Sequence, residues 1–132
     1  MVKAFGYGSD AIMVARKLEF LGIDYLAVAY VKEGIAIRNA GIRTPILVLH
    51  PQPVGFEALI AHGLEPSLYS PEILDGFLKV AESKNRKNYP VHLKFNTGLN
   101  RLGFTVNDLD FIAKKLNKYK GVKVVSIFSH LA

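Results

Sequence analysis

Short apolar runs alternate along the chain with longer stretches in which apolar residues recur three and four positions apart. The short runs predict strands at Tyr25 to Ala29, Ile46 to Leu49, Glu65 to Tyr69, Val91 to Phe95 and Val122 to Phe128, with Met1 to Lys3 as the tail of a first strand. Between them the spacing predicts helices. One is capped by Asp10 and runs to about Leu21, where Gly22 ends it. The next two span about Lys32 to Ala40, closed by Gly41, and Phe56 to His62, closed by Gly63. Pro71 suits the first turn of a helix reaching about Ser83, and Asn107 or Asp108 caps another that reaches about Tyr119.

Strands that alternate with helices, with no hairpin signal such as Asn-Gly between them, favour a parallel sheet covered on both faces. A doubly wound sheet and a barrel both fit that pattern. The expected count is about six parallel strands. The chain starts in the last residues of a strand and stops just after another, at Ser129 to Ala132, so the expectation is an α/β fold built as part of a (β/α)8 TIM barrel.

At 132 residues, half of them apolar, the chain is the size of one domain with a substantial core. It has no cysteine, which removes disulfides, thiolate catalysis and cysteine-held metals, and no metal site is expected. The net charge of +6 comes mainly from Lys84, Arg86 and Lys87 and from Lys114, Lys115, Lys118 and Lys120, at positions that read as helix ends and exposed faces. Neither cluster is clearly interleaved with aromatics as a nucleic-acid surface would be, so a solvated face is the simpler reading. No apolar run approaches a membrane span, and no signal-peptide pattern opens the chain.

The unusual chemistry is concentrated in His92 to Phe104. Leu93 and Phe95 face one side of the predicted strand and His92 and Lys94 the other, so ionisable groups point where a parallel sheet buries apolar ones. A buried cation is costly unless paired. Lys3, Lys94 and His130 fall at strand C-terminal ends and Arg101 in the loop beyond, at the rim where barrel enzymes assemble their sites. Each alone has an ordinary explanation: a snorkelling terminal lysine, a hydrogen-bonded core histidine, a loop cation. Together, with few acids nearby beyond Glu33, they suggest an anionic ligand or cofactor and a lysine suited to Schiff-base chemistry. His50 and His62 read as surface or helix-end residues.

These residues lie in five separated motifs: Val2-Lys3-Ala4-Phe5-Gly6-Tyr7-Gly8; Leu26-Ala27-Val28-Ala29 with Glu33-Gly34; Pro45 to Leu49; His92-Leu93-Lys94 with Thr97-Gly98 and Arg101-Leu102-Gly103-Phe104; and Ser129-His130-Leu131-Ala132. Their order and spacing resemble the N-terminal barrel domain of alanine racemase over essentially the whole chain. The resemblance implies a cytoplasmic isomerase, dependent on pyridoxal 5′-phosphate, that interconverts L-alanine and D-alanine for cell-wall precursor supply. It implies that Lys3 forms the imine with the cofactor and is one of two bases, that the Tyr7 hydroxyl holds the phosphate, that Arg101 donates to the phenolic oxygen, and that His130 packs on or near the ring. Lys94 matches a lysine that in many members carries a carbamate able to hold Arg101, with His92 as its supporting neighbour.

The resemblance further implies that residues 1–132 are an incomplete N-terminal barrel domain without the C-terminal β-domain, and that the parent is a homodimer with shared active sites. The second base, a tyrosine of the partner subunit in the family, is unmatched, so this chain alone is expected to be inactive. Asn96 replaces the usual Asp before Thr-Gly, Leu99 a common Met and Asn100 a common Gly, while Phe5, Ser9 and Asp10 depart around Tyr7. Alternatives are a racemase of serine or another small amino acid, a non-catalytic pyridoxal-phosphate-binding barrel protein, and a basic nucleic-acid-binding domain using Lys84 to Lys87. No nucleic-acid or membrane partner is expected for the first reading.

Overall fold

Asp10 and Ser70 show how directly side chains start the helices here. In the computed structural model, which describes residues 1–131 without the Phe5 side chain, Asp10 accepts from the N–H groups of Ile12 and Met13 and opens α2, Ala11–Phe20. Ser70 accepts from Ile73 N and, with Pro71 at the first position, opens α5, Pro71–Ser83. Ala132, the last residue of the Ser-His-Leu-Ala motif, lies outside the described residues.

The chain divides into two compact units, Met1–Pro66 and Ser67–Ala132. The N-terminal unit contains α1 (Lys3–Tyr7), α2, β1 (Leu26–Val28), α3 (Val31–Asn39), β2 (Ile46–Val48), a 3-10 turn (Pro53–Gly55), α4 (Phe56–Ala61) and the start of β3 (Glu65–Leu68). Leu26 pairs with Ile46 and Val28 with Val48, and Leu47 then pairs with Glu65, all in parallel. Leu26, Val28, Ile46 and Val48 are fully buried, as are Leu59 and Leu64, while Ile37 from α3 is 1% exposed. Gly34 lets α3 approach closely, because a Cβ there would stand 2.9 Å from a methyl of Leu64. Arg38, at the end of α3, donates to the carbonyls of Ile42, Thr44, His62 and Gly63 and so ties two loops beneath the strands. His62 turns its Nδ1 to the Ala58 carbonyl at 2.7 Å, a helix-end role.

The C-terminal unit takes up β3 at Ser67 and Leu68, which pair in parallel with His92 and Leu93 of β4 (Tyr89–Phe95). β4 pairs in turn with β5 (Val122–Ser129), with a register shift between Val91 and His92. Helix α5 precedes β4; a 3-10 turn (Val106–Asp108) and α6 (Leu109–Lys118) precede β5. Leu74, Phe77, Leu78 and Ala81 line the buried face of α5, and Lys115 of α6 forms an ion pair with Asp75. Every pairing is parallel, and the strands are separated by helices, which is the α/β alternation expected of a partial (β/α) barrel.

Five strands form among the described residues, against about six expected. The difference is at Met1 to Lys3, where strand pairing is reduced to Val2 N donating to Ala27 O at 2.8 Å before the chain turns into α1. Asp108 stands at the N-cap of α6, one of the two positions expected, but its side chain makes no capping bond to that helix. Asp108 bonds back to the N–H and hydroxyl of Thr105, at 2.7 and 2.9 Å, so Thr105 opens the 3-10 turn ahead of the helix in a reciprocal capping box.

Candidate active site

Lys3 stands at the start of α1 rather than at the end of a strand, half-buried, immediately after Val2, whose side chain is 1% exposed. Ala4, Gly6 and Tyr7 follow in the left-handed region at φ 52°, 68° and 58°, a conformation that costs non-glycine residues about 1–2 kcal/mol each. Such a turn needs external support, and it has it: Ala4 N donates to Glu33 Oε1 at 2.8 Å. Tyr7, in the same turn, is 66% exposed, and among the described residues its hydroxyl reaches only the thioether of Met1 at 3.4 Å. A tyrosine packed onto the first helix would be far less exposed.

In the C-terminal unit, Lys94 lies one residue from the end of β4 and is 4% exposed; His92, two residues earlier on the same face, is 3% exposed. Burial lowers the Lys94 pKa below the usual lysine value, and the positive charge of Arg101 lowers it further. No carboxylate of the described residues forms a salt bridge with Lys94. The His92 Nδ1 and the Ser126 Oγ are 2.6 Å apart. Ser67, the register partner of His92 on β3, buries its Oγ completely with no hydrogen-bond partner among the described residues. An orphan hydroxyl beside a buried histidine and lysine marks a face built for polar contacts.

The loop carrying Arg101 is closed by its own chemistry. Asn96 Oδ1 accepts from Gly98 N and Asn100 N at 3.2 and 3.0 Å, and its amide donates to Asn100 Oδ1 at 2.8 Å. Phe104 then returns to β4, donating to Lys94 O at 2.8 Å and accepting from Asn96 N at 2.9 Å. Gly103 makes that return possible. At φ 145° it lies so close to the strand that a Cβ would fall 2.5 Å from both Asn96 N and the Phe95 carbonyl carbon. Gly103→Ala in the full-length protein is therefore expected to cost about 1–3 kcal/mol of stability from backbone strain alone. Unchanged denaturant midpoints would contradict this closure.

Arg101 is exposed on this loop, and His130 is exposed just beyond β5. The hydroxyls of Thr97 and Ser129 bond to each other, joining the Arg101 loop to the end of β5. The structure thus gathers Lys3 with Tyr7 in one unit, and His92, Lys94 and Arg101 around the end of β4 in the other. Glu33 and Gly103 lie in the motifs read from the sequence but were given no role there, and Ser67 was not singled out at all. Asn96 carried a usable signal, an Asx residue two positions before a glycine in a turn; Ser67 carried none.

The family described as alanine racemase, N-terminal domain, matches residues 1–132. The chain is 39% identical to an alanine racemase of Sorangium cellulosum, an alignment that covers 100% of this chain and 36% of that protein. Among solved structures it resembles the alanine racemase of Clostridium difficile 630 in complex with cycloserine, with a TM-score of 0.91 and 35% identity over 99% of this chain and 36% of that one. It also resembles alanine racemase from Bartonella henselae with covalently bound pyridoxal phosphate, with a TM-score of 0.86 and 26% identity over 99% of this chain and 38% of that one. The chain spans a little over a third of the length of these relatives.

Proposed function

Because the chain belongs to the alanine racemase N-terminal domain family, we propose that it is the cofactor-binding part of a longer, cytoplasmic, pyridoxal-5′-phosphate-dependent enzyme that interconverts L-alanine and D-alanine. The family match over residues 1–132 carries this reading. The donor set supports it. Among the described residues, Tyr7 has an exposed hydroxyl that donates to the Met1 thioether, Arg101 is exposed, and Lys94 is a buried amine with no carboxylate on it. Each is by itself a donor of the kind that a phosphate or a phenolate takes. None of the helices is long and apolar enough to cross a membrane.

In this reading Lys3 is the point of covalent attachment and one of the two bases acting on the substrate α-carbon. Tyr7 donates to the phosphate, Arg101 to the phenolic oxygen, and His130 packs against the ring. When bound, the cofactor supplies the electron sink that stabilises the charge left by removal of the α-proton. Lys94 acts by modification: its ammonium first gives up one proton, the neutral amine attacks the carbon of CO₂, an N–C bond forms as one C=O π pair moves onto oxygen, a second proton leaves the nitrogen, and a cationic side chain has become an anion. That carbamate neutralises the charge facing Arg101 and fixes the guanidinium, with His92 supporting it on the same strand face. The second base comes from a partner subunit in a homodimer, so the chain alone makes no D-alanine. The product serves cell-wall precursor supply.

Borohydride reduction of the full-length protein with pyridoxal 5′-phosphate, followed by peptide mapping, should place the label on Lys3. A label on Lys94, or none, would overturn the assignment.

A further inference from the structure

Glu33 carries three hydrogen bonds on one carboxylate, and all three donors are backbone N–H groups. Oε1 accepts from Ala4 at 2.8 Å, and Oε2 accepts from Ala29 at 2.8 Å and Tyr30 at 3.0 Å. Two segments far apart in sequence therefore meet on it: the turn that follows Lys3 and the bend by which the chain leaves β1. The backbone of Lys3 is consequently tied on both sides. Val2 N bonds to Ala27 O on one side, and Ala4 N bonds to Glu33 on the other.

Packing alone does not fix this turn. Val2, Glu33 and Ile37 border an open pocket of about 240 Å³, and Ala4 holds a left-handed conformation that L-residues avoid. The acid is not interchangeable with its amide. A glutamine would present one oxygen and one NH₂ group, and in either orientation the NH₂ would face an N–H donor, losing the Ala4 bond or the Ala29 and Tyr30 pair.

We propose that Glu33 is a positioning residue for Lys3: its carboxylate sets the backbone turn that presents the Lys3 amine, by clamping Ala4 to the start of α3. The proposal rests on the reading of Lys3 as the point of cofactor attachment. Glu19 provides a matched control in the same unit, because its Oε1 also accepts three bonds, from Arg43 N at 2.7 Å, Thr44 N at 2.8 Å and Thr44 Oγ1 at 2.9 Å. None of those donors belongs to the Lys3 turn.

The test compares wild type, Glu33→Gln and Glu19→Ala in the full-length protein by three readouts: hydrogen exchange at the Ala4 amide, the pyridoxal 5′-phosphate concentration giving half-maximal borohydride-trapped label on Lys3, and the melting temperature without cofactor. Glu33→Gln should accelerate Ala4 exchange and raise the half-saturating concentration by about tenfold or more. Glu19→Ala, which removes the single oxygen that takes all three bonds, should move the melting temperature and neither of the others. Equal effects of the two variants on Lys3 labelling, or wild-type labelling in Glu33→Gln, would overturn the proposal. If wild type takes no label on Lys3, the functional reading fails by itself, while Ala4 exchange still decides the clamp: protection lost in Glu33→Gln supports it, and no protection in wild type refutes it. Should Glu33→Gln not fold, Glu33→Asp replaces it, since a carboxylate one methylene shorter cannot reach both segments; wild-type exchange and labelling there would count against the clamp.

Discussion

Lys3→Ala in the full-length protein should abolish both the absorbance of the bound cofactor and racemisation, with little change in fold. On the proposed reading the substitution removes the amine that would attach the cofactor and, with it, one of the two bases; loss of a positioned base alone costs about 10²–10⁴-fold. Its structural cost should be small. Lys3 is half-buried and the turn around it is fixed through backbone bonds, Val2 N to Ala27 O and Ala4 N to Glu33, neither of which involves the lysine side chain. Alanine at position 3 leaves both in place. Far-ultraviolet circular dichroism and the melting temperature of the cofactor-free protein should therefore match wild type, while absorbance and D-alanine formation fall to background. Retention of either would put the attachment point elsewhere.

The parts of the fold that local chemistry dictates were legible in the sequence. Asp10 caps α2, Pro71 opens α5, and Gly22, Gly41 and Gly63 follow the helices they were expected to end, at φ 75°, 88° and 59°. Each signal acts within a few residues of itself. The burial of His92 and Lys94 followed from strand alternation and is observed at 3% and 4% exposure. What was illegible depends on partners distant in sequence. Met1 to Lys3 has the composition of a strand end, but Glu33, 29 residues from Ala4, draws the chain into a turn. The 3-10 turn opened by Thr105 was hidden because Asp108, which does stand at the N-cap of α6, turns its side chain back to Thr105 instead of into the helix. Strand β4 begins at Tyr89, ahead of Pro90, because Tyr89 N finds Gly121 O at 2.9 Å while the proline lacks an N–H to pair.

Lys94→Met should make the stability of the full-length protein insensitive to CO₂ and flatten its dependence on alkaline pH. The sign follows from the depressed pKa of Lys94, caused first by burial and then by the charge of Arg101. A folded state that lowers a lysine pKa binds fewer protons than the unfolded chain between the folded value and the ordinary one near 10.5, so stability rises with pH across that window and is lowest below it. In CO₂-free buffer the protonated lysine is thus a liability at neutral pH. The same depression enlarges the fraction of neutral amine, the form that adds CO₂. Once the carbamate forms, repulsion toward Arg101 becomes attraction, and a charge-assisted hydrogen bond of that kind is worth about 1.5–3 kcal/mol. Wild type should therefore gain stability on addition of bicarbonate and show a mass increase of one CO₂ on the Lys94 peptide after trapping. Lys94→Met, similar in length and uncharged, should gain nothing from bicarbonate and should equal or exceed wild type in CO₂-free buffer at neutral pH. A bicarbonate response that persists in Lys94→Met would locate the modification elsewhere and leave the buried cation without its explanation.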